Sequence, residues 1–485
     1  MNKQIKTSYS SLFIGGEWIK STENNFSEVK NPHDQSTIGS VPLASTEDMD
    51  LALKVAKESF DSKIWRSKSL NERLSTLKKF QELHNEYALS LAEMITLENG
   101  SSINFNRLLQ EQFIPATNKG IFEEAEKFDW EISRENADGS NVLVVREPVG
   151  IVAAIIPWNA PQQSALGKII PALLAGNSVI LKPTPETAID AMALGDIFNE
   201  AGLPKGVLSI LPADREVSAY LVSIPEVDKI AFTGSTRAGI SIAQTAGAQM
   251  KRFTLELGGK SAGIILDDAT DEQIINTIMA RSLANNGQSC IGLTRLLVPK
   301  NRYEEITDTI ANAMNQIKIG DPMDAGNYLG PVFHEPQYNR VKDYIQIGID
   351  EGAVVKAGGL EKPEGEAFEK GWYIKPTLFT HVTNQMRIAR EEIFGPVLVA
   401  IPYDTVEEAI AIANDSEYGL GGGIITSDRR KGLEIAKQIR TGGISLNTLY
   451  PDFGSPFGGF KKSGVGREMG KYALESFTEL KTIVY

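Results

Sequence analysis

The sequence predicts an α/β protein with two doubly wound, Rossmann-like domains and a small β element beside them. Apolar runs of strand length alternate with helical stretches from Val149 onward, and this alternation is typical of parallel, doubly wound sheets. A second alternating series begins after Leu257. The chain has 485 residues, which exceeds one ordinary hydrophobic core, so two or three domains are expected.

The N-terminal part predicts short strands followed by two helices. Residues 11–44 contain short β-prone runs separated by turns, with Gly15-Gly16 the clearest turn signal. A helix is predicted to begin at Ser45, because apolar residues recur on one helical face after it. A second amphipathic helix is predicted from Leu70 to Gly100, since glycine favours a C-terminal stop. Both helices are expected to cover a sheet.

A β-hairpin is predicted between residues 128 and 147. The β-prone runs Trp130–Ile132 and Val142–Val145 flank Asp138-Gly139, a dipeptide that favours tight hairpin turns. An isolated hairpin is only marginally stable in water. We therefore expect this one to pack against another element or another subunit.

The first alternating series contains four predicted strands, which are Val149–Ile156, Val179–Leu181, Val207–Leu211 and Ile230–Phe232. The helical stretches that separate or follow them are Ser164–Leu174, Thr187–Ala201, Ser218–Val222 and Ala238–Ala246. The predicted strands of the second series are Ala262–Leu266, Leu296–Val298, Val397–Ile401 and Gly422–Ile425. The boundary between the two α/β domains is predicted near Leu257-Gly258-Gly259.

Composition and charge argue against several classes of function. The net charge is −13, which disfavours nucleic acid or an anionic membrane as the main partner. No apolar run approaches the roughly 20 residues that span a bilayer, and the N-terminus has no apolar signal-peptide core. With a single cysteine, the chain is expected to be cytoplasmic. None of the four histidines has a partner at metal-ligand spacing, so no metal site is expected.

The single cysteine, Cys290, lies in a stretch of small and polar residues with glycines, from Asn286 to Gly292. That composition predicts a loop. A lone cysteine cannot form an intrachain disulfide or a multi-thiolate metal site. It can be a buried structural residue, because free cysteine packs like a small hydrophobe, or it can be a nucleophile. The local sequence leaves both interpretations open.

Unusual residues follow several predicted strands. Trp158 and Asn159 come after the first strand, where Asn159 could donate to an oxyanion, although a simple Asx turn explains them as well. Lys182 follows the second strand and could bind a ribose hydroxyl or a phosphate, or be solvated. The stretch Gly234–Gly239 follows the fourth strand and opens a helix, whose N–H groups can bind a pyrophosphate. An ordinary strand-to-helix turn is the alternative.

Carboxylates mark two further strand ends. Glu256 lies in an apolar setting that raises the pKa of a carboxyl toward that of a useful general base. A structural, paired glutamate is the alternative. Glu392 and Phe394 precede the strand that starts at Val397, and a solvated carboxylate beside a core aromatic explains them equally well.

Together these motifs resemble the aldehyde dehydrogenase superfamily, in the family's order and over nearly the whole chain. Glu256-Leu257-Gly258-Gly259-Lys260 and the later Cys290 resemble the family's base and nucleophile at the family's spacing. Residues 455–468, Ser-Pro-Phe-Gly-Gly-Phe-Lys-Lys-Ser-Gly-Val-Gly-Arg-Glu, resemble its C-terminal signature. The resemblance selects the nucleophile interpretation of Cys290.

The resemblance implies that the chain oxidises an aldehyde to a carboxylic acid and does not use CoA. The implied cofactor is NAD, and NADP is possible. Cys290 is then the nucleophile, and Asn159 and the Cys290 N–H hold the oxyanion. Glu256 activates the water that releases the acid. Lys168 and Glu468 match a proton-relay pair. Two alternatives stay open: a CoA-acylating semialdehyde dehydrogenase, which the presence of Glu256 disfavours, and a catalytically inactive protein with the same fold.

The resemblance also implies cofactor contacts and a domain plan. The implied cofactor-binding residues are Ile156, Trp158, Lys182, Gly234, Ser235, Gly239, Leu257, Glu392 and Phe394. Residues 1–126 and 148–256 match a discontinuous cofactor-binding domain, and residues 257–465 match a catalytic domain. Residues 127–147 and 466–485 match an oligomerisation element, so a homodimer or homotetramer is expected.

The chain departs from the family's pattern at the cofactor ribose. Many NAD-specific members have a glutamate three residues after the lysine that corresponds to Lys182. Pro185 occupies that position here, and Glu186 comes one place later. Without the carboxylate, repulsion of a 2′-phosphate is lost, so the chain is expected to use NAD with measurable NADP activity.

A second departure concerns the substrate tunnel. Many members place large apolar residues after Asn159, where this chain has Ala160, Gln162, Gln163 and Gly167. The tunnel is therefore expected to be wide on this side, with Tyr450 and Phe453 on the other wall. No arginine is expected among the tunnel residues. A bulky, uncharged substrate follows from these expectations, aromatic or terpenoid-like.

Overall fold

The computed structural model describes residues 3–448 and 454–485, which form two large sheets, two small sheets and the helices that cover them. The strands are β1 Leu12–Ile14, β2 Glu17–Ile19, β3 Phe26–Lys30, β4 Thr37–Pro42, β5 Glu131–Glu135, β6 Asn141–Pro148, β7 Ile151–Ile155, β8 Ser178–Lys182, β9 Leu208–Ile210, β10 Lys229–Thr233, β11 Arg252–Glu256, β12 Ser261–Ile265, β13 Leu293–Pro299, β14 Val354–Ala357, β15 Thr377–Thr380, β16 Val397–Tyr403, β17 Gly422–Ile425, β18 Ser445–Leu446, β19 Gly464–Val465 and β20 Thr478–Val484.

The α-helices follow the same chain order. They are α1 Thr46–Asp61, α2 Leu70–Asn99, α3 Ile103–Leu108, α4 Ile114–Lys127, α5 Pro161–Ala175, α6 Ile189–Ala201, α7 Arg215–Ser223, α8 Thr236–Ala248, α9 Asp271–Ile278, α10 Tyr303–Asn315, α11 Glu335–Asp350, α12 Arg387–Arg390, α13 Val406–Asn414, α14 Arg429–Ala436 and α15 Gly470–Ser476.

The first sheet has eight strands in the order β19-β11-β10-β7-β8-β9-β1-β2, and the five central strands are parallel. From β7 the chain moves outward through β8 and β9, then returns to place β10 on the other side of β7. The order therefore reverses between β7 and β10. In open α/β sheets, ligands bind in the crevice at the carboxyl ends of the strands at such a reversal.

Alternate side chains of β7 enter the cores on the two faces of this sheet, as the twofold strand period requires. Val152 and Ala154 pack in one core with Ile169 of α5. Ile151 and Ala153 pack in the opposite core, which contains residues of α1, α7 and α8. Both faces of the sheet are covered by helices, as expected for a doubly wound sheet.

The second large sheet has seven strands in the order β14-β15-β16-β13-β12-β17-β18. All its pairs are parallel except β14 with β15. The chain leaves the first sheet at Glu256 and enters the second at Ser261, while β19 returns to the edge of the first sheet beside β11. The predicted fold class, α/β with two doubly wound sheets, is confirmed.

The predicted hairpin forms a third sheet with the C-terminal strand, in the order β20-β6-β5. β20 pairs along β6 from Thr478 with Pro148 to Val484 with Val142. The sheet leaves apolar side chains exposed at Leu480 and Val484. The assignment of this sheet to oligomerisation stays a prediction, as do the functions assigned to the domains.

Local signals account for the ends of the first two helices. Ser45 caps α1, and Asp48 returns the hydrogen bond to the Ser45 backbone in a capping box. α2 ends at Gly100, which adopts the left-handed conformation with φ 78°, a conformation that favours glycine. Within the described ranges, no helix combines the length and apolar character needed to cross a bilayer.

Candidate active site

The candidate site lies where the strand order of the first sheet reverses. β7 ends at Ile155 and leads to Trp158-Asn159, and β10 ends at Thr233 and leads to Gly234-Ser235. Glu256 is the last residue of β11 and pairs in register with Thr233. Three motifs that the sequence singled out at separate positions therefore reach one edge of one sheet.

The loop that carries Cys290 follows a π-helical turn, Met279–Leu283, and a tight turn, Ala284–Gly287. Asn285 and Asn286 both have φ 56° in that tight turn, a left-handed conformation that asparagine tolerates better than most residues. Cys290 itself lies in a turn and is partly exposed. The predicted loop at the cysteine is therefore present.

Buried asparagine side chains anchor this loop, and the sequence analysis missed them. Asn286 Nδ2 donates to the carbonyls of Gly100 and Pro331, both at 2.8 Å, and its Oδ1 accepts from Gly330 N–H at 2.8 Å. Asn285 Nδ2 donates to the Asn159 carbonyl at 2.8 Å. The signal available in the sequence was the pair of asparagines before a glycine, which favours left-handed turns.

Two glycines allow the backbone to pass close to the nucleophile. A Cβ at Gly259 would lie 2.3 Å from the Cys290 carbonyl oxygen. A Cβ at Gly287, which has φ 70°, would lie 2.4 Å from the backbone of Gly395. Neither distance is compatible with a side chain, so both positions require glycine.

Asn159 is held beside the cysteine loop. Its Nδ2 donates to the Gln288 carbonyl at 3.0 Å, which uses one of the two amide N–H groups. Gln288 lies two residues before Cys290, and its own Oε1 accepts from Phe333 N–H at 3.0 Å. The second N–H of Asn159 is the one that could reach an oxyanion.

The thiol of Cys290 is surrounded by carboxylates. Burial, reinforced by the charges of Glu392 and Glu256, raises the pKa of the Cys290 thiol to about 12. The thiol is therefore protonated at neutral pH in this structure. A nearby base or a positive charge is required to generate the thiolate, which is the nucleophilic form.

Glu256 is 2 % exposed, and burial, together with the neighbouring Glu468, raises the pKa of its carboxyl well above the ordinary value. Neither carboxylate oxygen has a hydrogen-bond partner among the described residues. Gly458 leaves room for it, since a Cβ there would lie 2.6 Å from Glu256 Oε1. An unpartnered carboxyl with a raised pKa is suited to accept a proton from water.

The structure brings Lys168 and Glu468 together. Lys168 Nζ, which is fully buried, lies 2.6 Å from Glu468 Oε1 and 2.6 Å from Thr233 Oγ1. Glu468 also acts electrostatically on Glu256. The two residues that were implied as a relay pair are therefore in contact and adjoin the candidate base.

The residues implied for the nicotinamide side of the cofactor contact Gly259, Gln337 and Trp158. Glu392 Oε1 accepts from Gly259 N–H at 2.9 Å, and burial raises the pKa of Glu392. Phe394 has φ 65° and its carbonyl accepts from Gln337 Nε2 at 2.7 Å. Trp158 stacks on Phe333 with ring centroids 4.3 Å apart, and meets Phe394 edge-on at 5.5 Å.

Some of the residues implied for the adenosine and pyrophosphate side lie at the start of a helix. Ser235 caps α8, a helix of 13 residues whose N-terminus favours negative charge. Gly234 precedes it, and Gly239 packs against Leu257, because a Cβ there would lie 2.4 Å from the leucine. These features fit a dinucleotide pyrophosphate.

Two further residues implied for the cofactor lie at the ends of β8 and β7. Burial lowers the pKa of Lys182 to about 8. Ile156 is buried and donates its N–H to the Lys182 carbonyl at 3.2 Å. The assignment of these residues to cofactor binding stays a prediction.

One tunnel residue was predicted wrongly. Gln162 does not face a tunnel: it is fully buried, and its Nε2 donates to the backbone and side chain of Asp190, both at 2.8 Å. Gln163 and Gly167, on another face of α5, are half-buried. A Cβ at Gly167 would meet only Glu468, at 4.0 Å, so space is open there. Tyr450 and Phe453 lie outside the described residues.

An arginine lines a cleft beside the residue that follows Cys290. Arg281 lines this cleft of about 230 Å³ together with Ile291 and Phe457. Arg281 also donates to Ser445 Oγ and belongs to the π-helical turn at 279–283. The expectation of a substrate tunnel without arginine stays a prediction.

No group of three or more His, Cys, Asp or Glu side chains arranged to hold a metal ion occurs in the part of the chain that the structure describes. The chemistry of the site rests on one thiol, one amide and several carboxyls. That donor set favours covalent catalysis on a carbonyl compound.

Comparisons with known proteins agree on one family. The model of the aldehyde dehydrogenase family matches residues 18–483. The chain is 40 % identical over 472 residues to geranial dehydrogenase of Castellaniella defragrans, covering 97 % of this chain and 98 % of that protein. It is 40 % identical to 3-succinoylsemialdehyde-pyridine dehydrogenase of a Pseudomonas species, covering 98 % of each.

Solved structures are also similar to this chain over nearly its whole length. The crystal structure of Mycobacterium tuberculosis aldehyde dehydrogenase complexed with NAD+ has a TM-score of 0.96 and 41 % identity, covering 99 % of this chain and 98 % of that one. Staphylococcus aureus betaine aldehyde dehydrogenase in complex with NAD+ has a TM-score of 0.95 and 30 % identity, covering 98 % and 94 %.

Proposed function

Because this chain belongs to the aldehyde dehydrogenase family, we propose that it oxidises an aldehyde to a carboxylic acid with NAD+ through a thioester on Cys290. The observation that carries the proposal is the convergence of a nucleophile, an amide donor and a base at one sheet edge. Asn159 contacts the Cys290 loop, and Glu256 acts electrostatically on the thiol. The NAD+ complexes of two similar structures support the choice of cofactor.

The chain's own residues account for acylation. The thiolate of Cys290 attacks the aldehyde carbonyl carbon and forms a thiohemiacetal. The free N–H of Asn159 and the backbone N–H of Cys290 stabilise the oxyanion. Bound NAD+ would supply the acceptor for the hydride that leaves the thiohemiacetal carbon. Trp158, Lys182, Ser235 and Glu392 would hold that cofactor.

Deacylation depends on Glu256. Its carboxylate takes a proton from water, which attacks the thioester and releases the acid. The proton then passes from Glu256 to the Glu468 carboxylate, which is in contact with the Lys168 ammonium group at 2.6 Å. The two large sheets would form the cofactor-binding and catalytic domains, and the sheet β20-β6-β5, with its exposed apolar residues, would join subunits into a homodimer or homotetramer.

A steady-state assay with NAD+ and a mixed aldehyde panel, with and without CoA, tests the reaction class. NADH formation that does not require CoA is expected. A strict CoA requirement would identify an acylating enzyme instead, and no turnover with any aldehyde would indicate an inactive protein with this fold.

We expect the substrate to be bulky and uncharged, aromatic or terpenoid-like. The open space at Gly167 and the small side chain of Ala160 support this class, as does the relative named geranial dehydrogenase. Each further buried methylene should contribute about 0.8 kcal/mol, or roughly fourfold in kcat/KM. The value of kcat/KM should therefore climb from short aliphatic aldehydes to benzaldehyde-sized and larger ones.

Gly167→Trp should reverse that trend by filling the space. The Gly167→Ala variant is the matched control, because it adds one carbon and should keep the wild-type order of substrates. The measurement is kcat/KM across the aldehyde series. An unchanged preference for large aldehydes in the tryptophan variant would show that Gly167 does not face the substrate.

A semialdehyde with a polar or acidic tail is the second candidate, and Arg281 is the observation that favours it. Arginine recognises carboxylates through paired hydrogen bonds, and Arg281 lines the cleft beside Ile291. The relative named 3-succinoylsemialdehyde-pyridine dehydrogenase also supports a semialdehyde substrate. A clear preference for succinic semialdehyde in the panel would favour this candidate over the first.

Pro185→Glu should shift the cofactor preference further toward NAD+. Pro185 is half-buried three residues after Lys182, and a carboxylate there would repel a 2′-phosphate by about 1 kcal/mol per charge pair at 4 Å in water, roughly fivefold. The ratio of kcat/KM for NADP+ to that for NAD+ measures the effect. Pro185→Gln is the uncharged control. An equal shift in both variants would mean that charge at this position does not decide the preference.

A further inference from the structure

Four polar side chains are completely buried behind the loop that carries Asn159. They are His84 and Glu98 of α2, Gln162 of α5 and Asp190 of α6, each 0 % exposed. Three helices therefore meet at a polar cluster inside an apolar core. Buried polar groups are costly unless they are hydrogen-bonded, so the partners of each group are informative.

The cluster is connected from end to end. His84 Nε2 lies 3.2 Å from Gln162 Oε1, and Gln162 Nε2 donates to Asp190 Oδ2 at 2.8 Å. Glu98 Oε1 accepts from the N–H of Ile189 at 2.8 Å. α6 has no capping side chain of its own, since its N-cap is Ala188. Glu98 therefore caps α6 from another helix.

The two carboxyl groups cannot both be ionised without cost. Neither Glu98 nor Asp190 forms a salt bridge with a basic group of the described chain, and Glu98 Oε2 lies 3.4 Å from the backbone N–H of Asp190, so the two residues are direct neighbours. Two buried carboxylates in contact repel each other, so such pairs hold a proton. Burial raises the pKa of Asp190 to about 7, and burial together with Asp190 raises that of Glu98 well above its ordinary value.

The other titratable groups near the pair do not supply a charge. Burial lowers the pKa of His84 to about 4, so this imidazole is neutral. Burial raises the pKa of the Tyr9 phenol, which lies within electrostatic reach of both carboxyls, and keeps it neutral as well. A shared proton is therefore the remaining way to neutralise the pair.

The cluster adjoins both ends of the oxyanion loop. Asn99, next to Glu98, donates through Nδ2 to the Trp158 carbonyl at 3.2 Å and reaches the Asn159 carbonyl at 3.5 Å. On the other side, Gln162 is the second residue of α5 and lies three residues after Asn159. The loop has no capping side chain of its own at the start of α5, where Ala160 is the N-cap.

We propose that Glu98 and Asp190 are positioning residues that share one proton and hold the loop Trp158–Ala160 so that the Asn159 amide meets the oxyanion. The proposal rests on the proposed function, since it assigns the pair to the acylation step. Gln162 connects Asp190 to α5 through its hydrogen bond to the carboxyl group. Asn99, the residue after Glu98, connects α2 to the loop through its hydrogen bond to the Trp158 carbonyl.

The test compares Asp190→Asn with Asp190→Ala by the rate of the first NADH burst. A misplaced catalytic group can cost about 100-fold, so Asp190→Ala is expected to slow the burst by about 10- to 100-fold, with the KM for NAD+ changed less than about twofold. Asp190→Asn keeps a neutral hydrogen-bonding group and should retain most of the burst rate. Glu93→Gln, on the same helix as Glu98, is the control and should burst like the wild type.

A pH profile separates positioning from mere structural support. The shared proton is present at low pH and is lost as pH rises above the raised pKa of Glu98, so on the alkaline side the wild-type burst rate should fall below the rise that deprotonation of the Cys290 thiol would otherwise produce. Glu98→Gln carries permanent amide protons and should not show that fall. This variant keeps the test valid even if Asp190→Ala does not fold.

Two results would overturn the inference: a wild-type burst in Asp190→Ala, or the same alkaline fall in Glu98→Gln as in the wild type. Equal losses in Asp190→Asn and Asp190→Ala would also overturn it, because a neutral hydrogen-bonding group would then be insufficient. Absence of any NADH formation by the wild type itself would instead contradict the proposed function.

Discussion

Cys290→Ala is expected to abolish aldehyde oxidation while leaving the fold and NAD+ binding intact. Cys290 is the only cysteine of the chain, so no second thiol can form the thioester. Removal of a catalytic nucleophile lowers turnover by about 10⁴-fold or more in enzymes that depend on one. The side chain is small and partly exposed, so its truncation should cost little stability.

The measurement for Cys290→Ala is NADH formation with a saturating aldehyde, together with NAD+ binding followed by fluorescence and a thermal unfolding curve. Ser289→Ala, one residue earlier in the same loop, is the matched control and should remain active. Substantial residual dehydrogenase activity in Cys290→Ala would disprove the assignment of the nucleophile.

Glu256→Gln is expected to separate the two halves of the reaction. Acylation needs the thiol and the oxyanion contacts, whereas deacylation needs a base for water, so the variant should release one burst of NADH per active site. Its steady state should then be slowed by about 10²- to 10⁴-fold, which is the usual contribution of a general base.

The pH dependence of that burst is informative as well. The Glu256 charge contributes to the raised pKa of the Cys290 thiol, so its removal should lower that pKa. The burst of Glu256→Gln should accordingly begin at a lower pH than the wild-type burst. Stopped-flow absorbance at 340 nm measures both properties, and Glu272→Gln, exposed on α9, is the control. Loss of the burst itself would mean that Glu256 also activates the thiol.

The surroundings of Glu256 explain why the pKa of its carboxyl is raised. Glu256 is buried at the end of β11, Gly458 leaves space beside it, and Glu468 raises its pKa electrostatically. Glu468 in turn is paired with Lys168. The candidate base therefore lies within electrostatic reach of a second carboxylate that is itself paired with a buried lysine.

The sequence by itself determined the fold class and singled out the residues of the candidate site. Strand-length apolar runs alternate with helical stretches because parallel strands are buried on both faces, and that pattern is local. The residues at strand ends could be singled out because a parallel sheet brings its carboxyl edges together. Asn159 and Glu256 were singled out in this way, Cys290 was singled out as the only cysteine of the chain, and the predicted helix start at Ser45 is present.

Only the tertiary structure decided which way individual side chains point. Gln162 and Gln163 are adjacent on α5 and equally polar, yet Gln162 enters the core and Gln163 remains half-buried. Arg281 reaches the cleft through a π-helical turn that no sequence period indicates. Glu98 and Asp190 are distant in the chain and meet because α2 packs against α6. Side-chain direction depends on how helices pack against one another, and that packing is set by contacts between residues far apart in sequence.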